Sequence, residues 1–202
     1  MKKLSTRDLV ILSLLLALLI VSGYVSLPTP SGLSIVWSMV PVAVGAVAFG
    51  PMGGMIMGMA FGIMSFLQCF GILGHSRQGM ELLAMGVNPL LLLVQRFVPR
   101  LLDGVAIGFI HRLLRKKLPV PVCCAATGFL AAFLNTVLFM SALVLVLGHT
   151  EYMVNAMAGR AFFAYVVASV SVNSVIEMVV STLLTASVGT ALYKAGLIRD
   201  DK

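Results

Sequence analysis

Apolar residues run almost unbroken through six stretches, 9–27, 33–49, 52–70, 89–114, 120–147 and 162–193, and polar residues collect in the intervals between them. Each stretch is near or above the ~20 residues that a helix needs to cross the hydrocarbon core of a bilayer. The pattern predicts an all-α fold, an integral membrane bundle of six transmembrane helices forming a single domain over residues 1–202, with no length left for a second one. The first stretch follows Lys2, Lys3 and Arg7 but runs on through Tyr24 with no Ala-x-Ala pattern behind it, so it is expected to remain as a span.

Within the stretches, small residues recur at a spacing of four: Gly50, Gly54, Gly58 and Gly62, then Ser13 and Ala17, Gly104 and Gly108, and Ser181, Thr185 and Gly189. Residues four apart share a helix face, and small ones let transmembrane helices approach closely. The glycine run is expected to pack the third span against a neighbour. Methionines such as Met52, Met55, Met57, Met59 and Met64 read as adaptable packing.

Composition agrees with the pattern: 60% hydrophobic, 10% charged, mean hydropathy +1.07. The formal charge of +7 is mostly topology. Lys and Arg gather on the cytoplasmic side of membrane proteins. An arrangement with cytoplasmic N- and C-termini puts Lys2, Lys3, Arg7, Arg112, Arg115, Lys116, Lys117, Lys194, Arg199 and Lys202 inside, ten of the fourteen basic residues. The others are Arg77 and Arg160 in outer loops and Arg96 and Arg100 within a span. Basic residues confined to membrane boundaries, with no interleaved aromatic platform, speak against nucleic acid as a partner. The inner turn at Gly50-Pro51 is short, whereas the outer connections, about 27–33, 71–87 and 148–161, are longer and richer in Gly, Ser, His and Arg, which points function outward.

Several chemistries are missing. The chain has no G-x-x-x-x-G-K-[ST] run, so it has no P-loop with which to hydrolyse nucleotide, and no G-x-S-x-G or H-E-x-x-H. His75, His111 and His149 lie on separate loops or helix ends. Cys69, Cys123 and Cys124 form no C-x-x-C pair and read as small membrane residues. Neither a metal nor another cofactor is expected.

Polar residues inside the spans converge on the outer halves of the fourth, fifth and sixth: Asn88, Gln95, Arg96, Arg100, Asn135, Thr136, Asn173 and Glu177. A charge near the bilayer centre costs roughly 2.5–3.5 kcal/mol on insertion scales, so such residues face the bundle interior and mark a path or site. Arg96 and Arg100 are one turn apart on one face, with Pro99 between them, and Asp103 is placed for an intrahelical ion pair with Arg100. Arg96 sits about 12 Å below Asn88 at 1.5 Å per residue, a depth suited to an anionic group arriving from outside.

These residues, in this order, resemble the substrate-binding S-components of energy-coupling factor (ECF) vitamin transporters. The likeness is carried by Thr6-Arg7-Asp8-Leu9 behind the basic start, Val40-Pro41-Val42-Ala43 running into Phe49-Gly50-Pro51-Met52-Gly53-Gly54, Asn88-Pro89-Leu90 followed by Val98-Pro99-Arg100-Leu101-Leu102-Asp103-Gly104, Leu134-Asn135-Thr136-Val137, and Val172-Asn173-Ser174-Val175-Ile176-Glu177. It covers nearly the whole chain. The resemblance implies a non-enzymatic subunit in a bacterial plasma membrane that captures a vitamin from outside and topples when two ATPase subunits drive a transmembrane coupling subunit. It implies docking of the first helix on that subunit through a small-xxx-small motif, here Ser13 and Ala17, with serine in place of the usual first alanine. It also implies a ligand pocket among the outer ends of helices four to six, made here of Asn88, Gln95, Arg96, Arg100, Asn135, Asn173 and Glu177 and closed by the 27–33 connection.

Among S-components the stretch Ser65-Phe66-Leu67-Gln68-Cys69-Phe70-Gly71 ahead of Asn88-Pro89 looks most like those for pantothenate, a small carboxylate for which Arg96 offers a charge-assisted partner. Folate and other anionic vitamins satisfy the same argument, and cobalamin or a pyridoxine-like vitamin stay open. Riboflavin fits less well, since a flavin wants stacking aromatics and the candidates are Trp37, Tyr152, Phe162, Phe163 and Tyr165. An intramembrane enzyme using Glu177 or Asp103 is the rival class, opposed by the roughly 22 Å that separates Glu177 from the outer end of its span at 1.5 Å per residue.

Overall fold

The computed structural model describes residues 5–24, 27–28, 34–35, 37–157, 159, 161, 164 and 172–198. Lys2, Lys3, Arg160, Phe162, Phe163, Tyr165, Arg199 and Lys202, most of the 27–33 connection and the first part of the sixth stretch lie outside them. The chain forms α1 (Thr6–Tyr24), a two-residue antiparallel ladder of β1 (Leu27–Pro28) with β2 (Ser34–Ile35), α2 (Met39–Leu67) ending in a 3-10 turn (Gln68–Phe70), α3 (Arg77–Ala84), α4 (Pro89–Arg115), α5 (Val120–Leu147), α6 (Glu151–Met157) and α7 (Val172–Lys194).

Among the described residues four helices are long and apolar enough to cross a membrane: Thr6–Tyr24, Met39–Phe70, Val120–Leu147 and Ser174–Lys194. At 27 residues, α4 is also long enough, about 40 Å at 1.5 Å per residue, and is set apart by Arg96, Arg100 and Asp103 along its buried face. The distribution of polarity is that of a molecule dissolved in lipid. Leu14, Leu102, Leu145 and Leu183 lie on the surface, whereas Gln95, Arg96, Arg100 and Asp103 are buried.

Helix α2 is two helices joined at a turn. Gly50 has φ 60° and ψ −146°, a conformation that a side chain would resist, and Pro51 opens the second arm, where its missing N–H costs nothing. The arms fold back on each other, so that Gly45 of the first lies against Gly53 and Met57 of the second. The short connection expected at Gly50-Pro51 is therefore this turn. The expectation that Gly50 packs with the glycine ridge is corrected, because nothing approaches the place its side chain would occupy.

The rest of the ridge works as a backbone-to-backbone contact. A methyl group on Gly54 would strike the carbonyl of Gly104, one on Gly58 the carbonyl of Arg100, and one on Gly62 the Phe97 ring and backbone. Gly108 meets Pro51 in the same way. The second arm of α2 thereby grips α4 along about three turns, and among the described residues this contact is the most extensive between helices. The ridge of α7 does the same to α5, with Ser181 and Thr185 against Gly128 and Gly189 against Cys124. By contrast, α1 buries Leu12, Leu15, Leu19 and Ser22 against α2 and leaves Ser13 and Ala17 exposed. Arg7 donates to the Gly196 carbonyl at 2.6 Å, bringing the start of α1 beside the end of α7.

Two short helices occupy connections expected to be loops. Ser76 caps α3 by accepting from the Gly79 N–H at 3.3 Å, and Leu82 anchors it in the interior. α6 is held by the Thr150 hydroxyl, which donates to the Leu147 carbonyl at 2.6 Å, and by the fully buried Met153.

Candidate functional site

Helix α4 starts at Asn88, whose Oδ1 accepts from the Leu90 N–H at 2.9 Å, with Pro89 in the first-turn position that tolerates it. Asn88, expected among the ligand-binding residues, is first of all an exposed helix cap. The helix stays regular through Pro99 and turns Gln95, Arg96, Pro99, Arg100, Asp103 and Gly104 inward.

The two guanidiniums are stacked one turn apart against a shared ring. Arg96 lies with its guanidinium carbon 5.1 Å from the centre of Phe139 on α5, and Arg100 lies 4.7 Å from the same ring and 4.5 Å from Phe61 on α2. A cation over an aromatic face gains up to about 2 kcal/mol when desolvated. Arg100 donates from Nη1 to the Arg96 carbonyl at 3.0 Å, so it is tied to its own helix. Arg96 donates from Nη2 to Oε1 of Gln78 on α3 at 3.3 Å, and the Cys69 sulfur and the Tyr152 hydroxyl lie within its electrostatic reach.

Among the described residues no ion pair joins Arg100 to Asp103; Arg77–Glu81, on the surface of α3, is a pair that does form, at 2.9 Å. The expected intrahelical pair is thus replaced by the carbonyl bond and the two rings. The helix register sets what stands level with Arg100. Arg96 beside Phe139 and His111 beside Thr127 make α4 and α5 antiparallel, and Gly128 against Ser181 and Thr185 does the same for α5 and α7. Asn135 and Glu177 fall level with Arg100 and Asp103.

Many buried polar atoms here have no partner among the described residues: both amide atoms of Gln95, Nε of Arg96 and of Arg100, Oδ1 of Asp103 and Oδ1 of Asn135. Such groups are rare in folded proteins and each asks for a reason. Thr136 is not one of them, since its hydroxyl donates to the Ala132 carbonyl at 3.0 Å. The side chain of Asn173 lies outside the described residues. Above this layer is a cavity of about 400 Å³, lined by Gly86, Asn88, Leu91, His149, Glu151 and Tyr152 among others. Tyr152 belongs to both the cavity wall and the surroundings of Arg96.

The expected residues Gln95, Arg96, Arg100, Asn135 and Glu177 are thus brought into one region. Sequence reasoning left out Gln78, Cys69, Phe61 and Phe139 as site members. It left Tyr152 as an aromatic candidate only. Gln78 carried a usable signal, being in a stretch opened by the Ser76 cap and followed by the Arg77–Glu81 pair at i, i+4. Among the described residues no group of three or more His, Cys, Asp or Glu could hold a metal ion.

The family description "ECF transporter, substrate-specific component" matches residues 7–189. No curated protein matches the chain. The match runs from α1 well into α7 and takes in the whole polar layer, so the chain belongs to the family of substrate-specific components of ECF transporters, which makes it a substrate-binding subunit of a membrane transporter and not an enzyme.

Proposed function

We propose that this S-component captures pantothenate at the outer ends of α4, α5 and α7 and passes it to an ECF coupling subunit driven by two ATPases. The observation that carries the reading is Arg96, a guanidinium only 4% exposed whose near neighbours are the neutral Gln78, Phe139, Cys69 and Tyr152 and the like-charged Arg100, with no carboxylate in ion-pair range among the described residues. A buried cation without a carboxylate is costly, and a ligand carboxylate would remove that cost through charge-assisted hydrogen bonds. Gln95, Arg100, Asn135, Asn173 and Glu177 belong to the same binding region in this reading, with Asn88 at its mouth. Pantothenate in particular is favoured by the Ser65–Gly71 stretch, whose Cys69 lies beside Arg96.

The same reading gives the chain six crossings, with the two arms of α2 as separate ones, in a bacterial plasma membrane. Cytoplasmic termini follow from the basic residues at the Arg7–Gly196 end and in Arg112–Lys117. The exposed Ser13 and Ala17 on α1 offer the coupling subunit a smooth surface.

The test is thermal unfolding of the purified protein in detergent against a panel of vitamins, because a ligand that binds only the folded state raises its stability by RT ln(1 + [L]/Kd). Pantothenate should give the largest shift, about 2.7 kcal/mol at a hundred times Kd, and Arg96→Ala should abolish it while the protein still unfolds cooperatively. A larger shift with a different vitamin would replace the substrate and leave the family role.

A further inference from the structure

Gln78 reaches Arg96 from a segment that needs outside help to hold its shape. We infer that Gln68 is a positioning residue of the binding region: it pins the hook of residues 68–76 that delivers Gln78 to the Arg96 guanidinium, with the end of α1 packed over the pin. This rests on the transporter reading above and adds to it a residue that acts through others and not on the ligand.

The hook begins where α2 ends. Gly71, at φ 75°, closes the 3-10 turn: its N–H donates to the Gln68 carbonyl at 3.2 Å, and the Ile72 N–H donates to the Leu67 carbonyl at 3.1 Å. The chain then passes through Leu73 at φ 58° and Gly74 at φ 110°. Among the described residues Leu73 is the one non-glycine with a positive φ, a conformation that its side chain resists. Gln68 supplies what holds it there. Its Nε2 donates to the Leu73 carbonyl at 3.2 Å, and its own carbonyl accepts again, from the Ser76 N–H at 3.1 Å. The middle and the far end of the hook are thus both tied to the last turn of α2.

What the hook carries and what covers it are both close by. Ser76 caps α3, and two residues on, Gln78 Oε1 accepts from Arg96 Nη2 at 3.3 Å. Gly79 rests on Cys69 so closely that a methyl group there would strike the sulfur. On the other side, a methyl group on Gly23, near the end of α1, would press on Gln68 Nε2 and the Leu73 carbonyl, and one on Gly74 would strike the Gly23 carbonyl. The Gln68–Leu73 bond is therefore covered by α1, away from solvent that would compete for it. Cys69, 2% exposed beneath α3, is a natural reporter of whether the hook is closed, and Cys123 and Cys124, both fully buried on α5, report on the rest of the bundle.

N-ethylmaleimide labelling of the full-length protein in detergent, followed thiol by thiol by mass spectrometry, tests the pin without any ligand. Cys69 should label faster than Cys123 and Cys124, through opening of the hook alone. Gln68→Met keeps the length of the side chain and removes its donor, and should raise Cys69 labelling about fivefold, as for one lost neutral hydrogen bond. Gly23→Ala, on α1, should raise it by less. Binding of the vitamin that the thermal panel selects, pantothenate first, then reads the consequence for the site. Gln68→Met should weaken binding by a similar factor, and in a Gln78→Ala background it should weaken it no further, because Gln78 is the route by which the hook reaches Arg96. Unchanged Cys69 labelling in Gln68→Met overturns the inference. So does labelling of all three thiols at one common rate, since Cys69 is then exposed only by unfolding of the bundle. Full affinity in Gln68→Met, or a full further loss in the Gln78→Ala background, overturns it too and leaves the transporter reading in place. A wild-type protein that binds no vitamin of the panel sinks the transporter reading, and with it a pin that serves a site.

Discussion

Helix α4 carries a buried polar cluster at each end, and the two are finished differently. Toward the C-terminal end His111 is 3% exposed and both of its ring nitrogens have partners, although Arg115 Nε nearby has none among the described residues. The Thr127 hydroxyl donates its only proton to the Cys123 carbonyl at 2.7 Å, so the His111 Nδ1–H must donate to Thr127 Oγ1 at 2.8 Å. That tautomer leaves Nε2 as an acceptor facing the Tyr193 hydroxyl at 3.4 Å, and the Cys123 thiol reaches the His111 carbonyl at 3.7 Å. Toward the N-terminal end both amide atoms of Gln95, Oδ1 of Asp103, Oδ1 of Asn135 and Nε of Arg96 and Arg100 have no partner among the described residues. A polar network that satisfies itself tightens a bundle, whereas one left open in low dielectric carries a standing cost that a ligand can remove. The first is architecture tying α4, α5 and α7 together, and the second is where we propose the site.

Both clusters depend on the same scaffold, so the largest effect comes from breaking that. Gly58→Leu drives a side chain into the Arg100 backbone, which cannot give way as a flexible side chain would. The loss should exceed about 4 kcal/mol, in the range that marks overpacking with backbone displacement. Thermal unfolding should show a lowered or non-cooperative transition, and ligand binding should vanish with the fold. Gly50→Ala tests the other device of α2. Its cost comes from the positive φ alone, since no atom stands near, and should be about 1 kcal/mol.

That these two glycines act by different means shows what local sequence can and cannot disclose. The ridge Gly54, Gly58, Gly62 was legible because its periodicity is a property of one helix, and its partner had to be a neighbouring helix. Gly50 belongs to the same arithmetic series, so spacing placed it in the ridge, although the following Pro51 marked a turn. The charged face of α4 was legible because Arg96, Arg100 and Asp103 are anomalous in an apolar run. Phe61 and Phe139 were not, because among eleven phenylalanines nothing local distinguishes a ring that covers a guanidinium from one that faces lipid. That distinction is made by the antiparallel register of α4, α5 and the second arm of α2. α3 and α6, of eight and seven residues, are too short for a periodic signal and depend on caps and single anchors such as Leu82 and Met153.

The cluster around His111 should respond to mutation in stability alone. His111→Ala leaves Thr127 and Tyr193 without their ring partner and opens a cavity between three helices. A loss of about 2–3 kcal/mol is expected in thermal unfolding, while the affinity of whatever ligand protects the wild-type protein stays within about twofold. If ligand affinity falls in step with stability, the two ends of α4 are coupled and the division between a closed and an open cluster fails.

The mildest test falls on the cluster around Arg96, at a contact with α3. Gln78 supplies the Arg96 guanidinium with a neutral acceptor at 3.3 Å, a long and partly buried bond that a ligand carboxylate would outcompete. Gln78→Ala should therefore change stability by less than about 1 kcal/mol, because the bond is weak and α3 is anchored elsewhere by Leu82 and by Gly79 against Cys69. Its effect on binding depends on when the bond is made. If Gln78 only occupies Arg96 until the ligand arrives, removing it frees the guanidinium and affinity rises by a few-fold. If Gln78 holds Arg96 in the geometry that receives the carboxylate, affinity falls by a similar factor, as for one lost neutral hydrogen bond of about 1 kcal/mol. The open character of the cluster favours the second outcome. Arg96 Nε already lacks a partner, so the side chain has few restraints besides Gln78 and the Phe139 ring, and a receptor gains affinity from a cation held in place beforehand. Titration calorimetry on Gln78→Ala with the ligand identified by the thermal panel decides between them by the sign of a single difference.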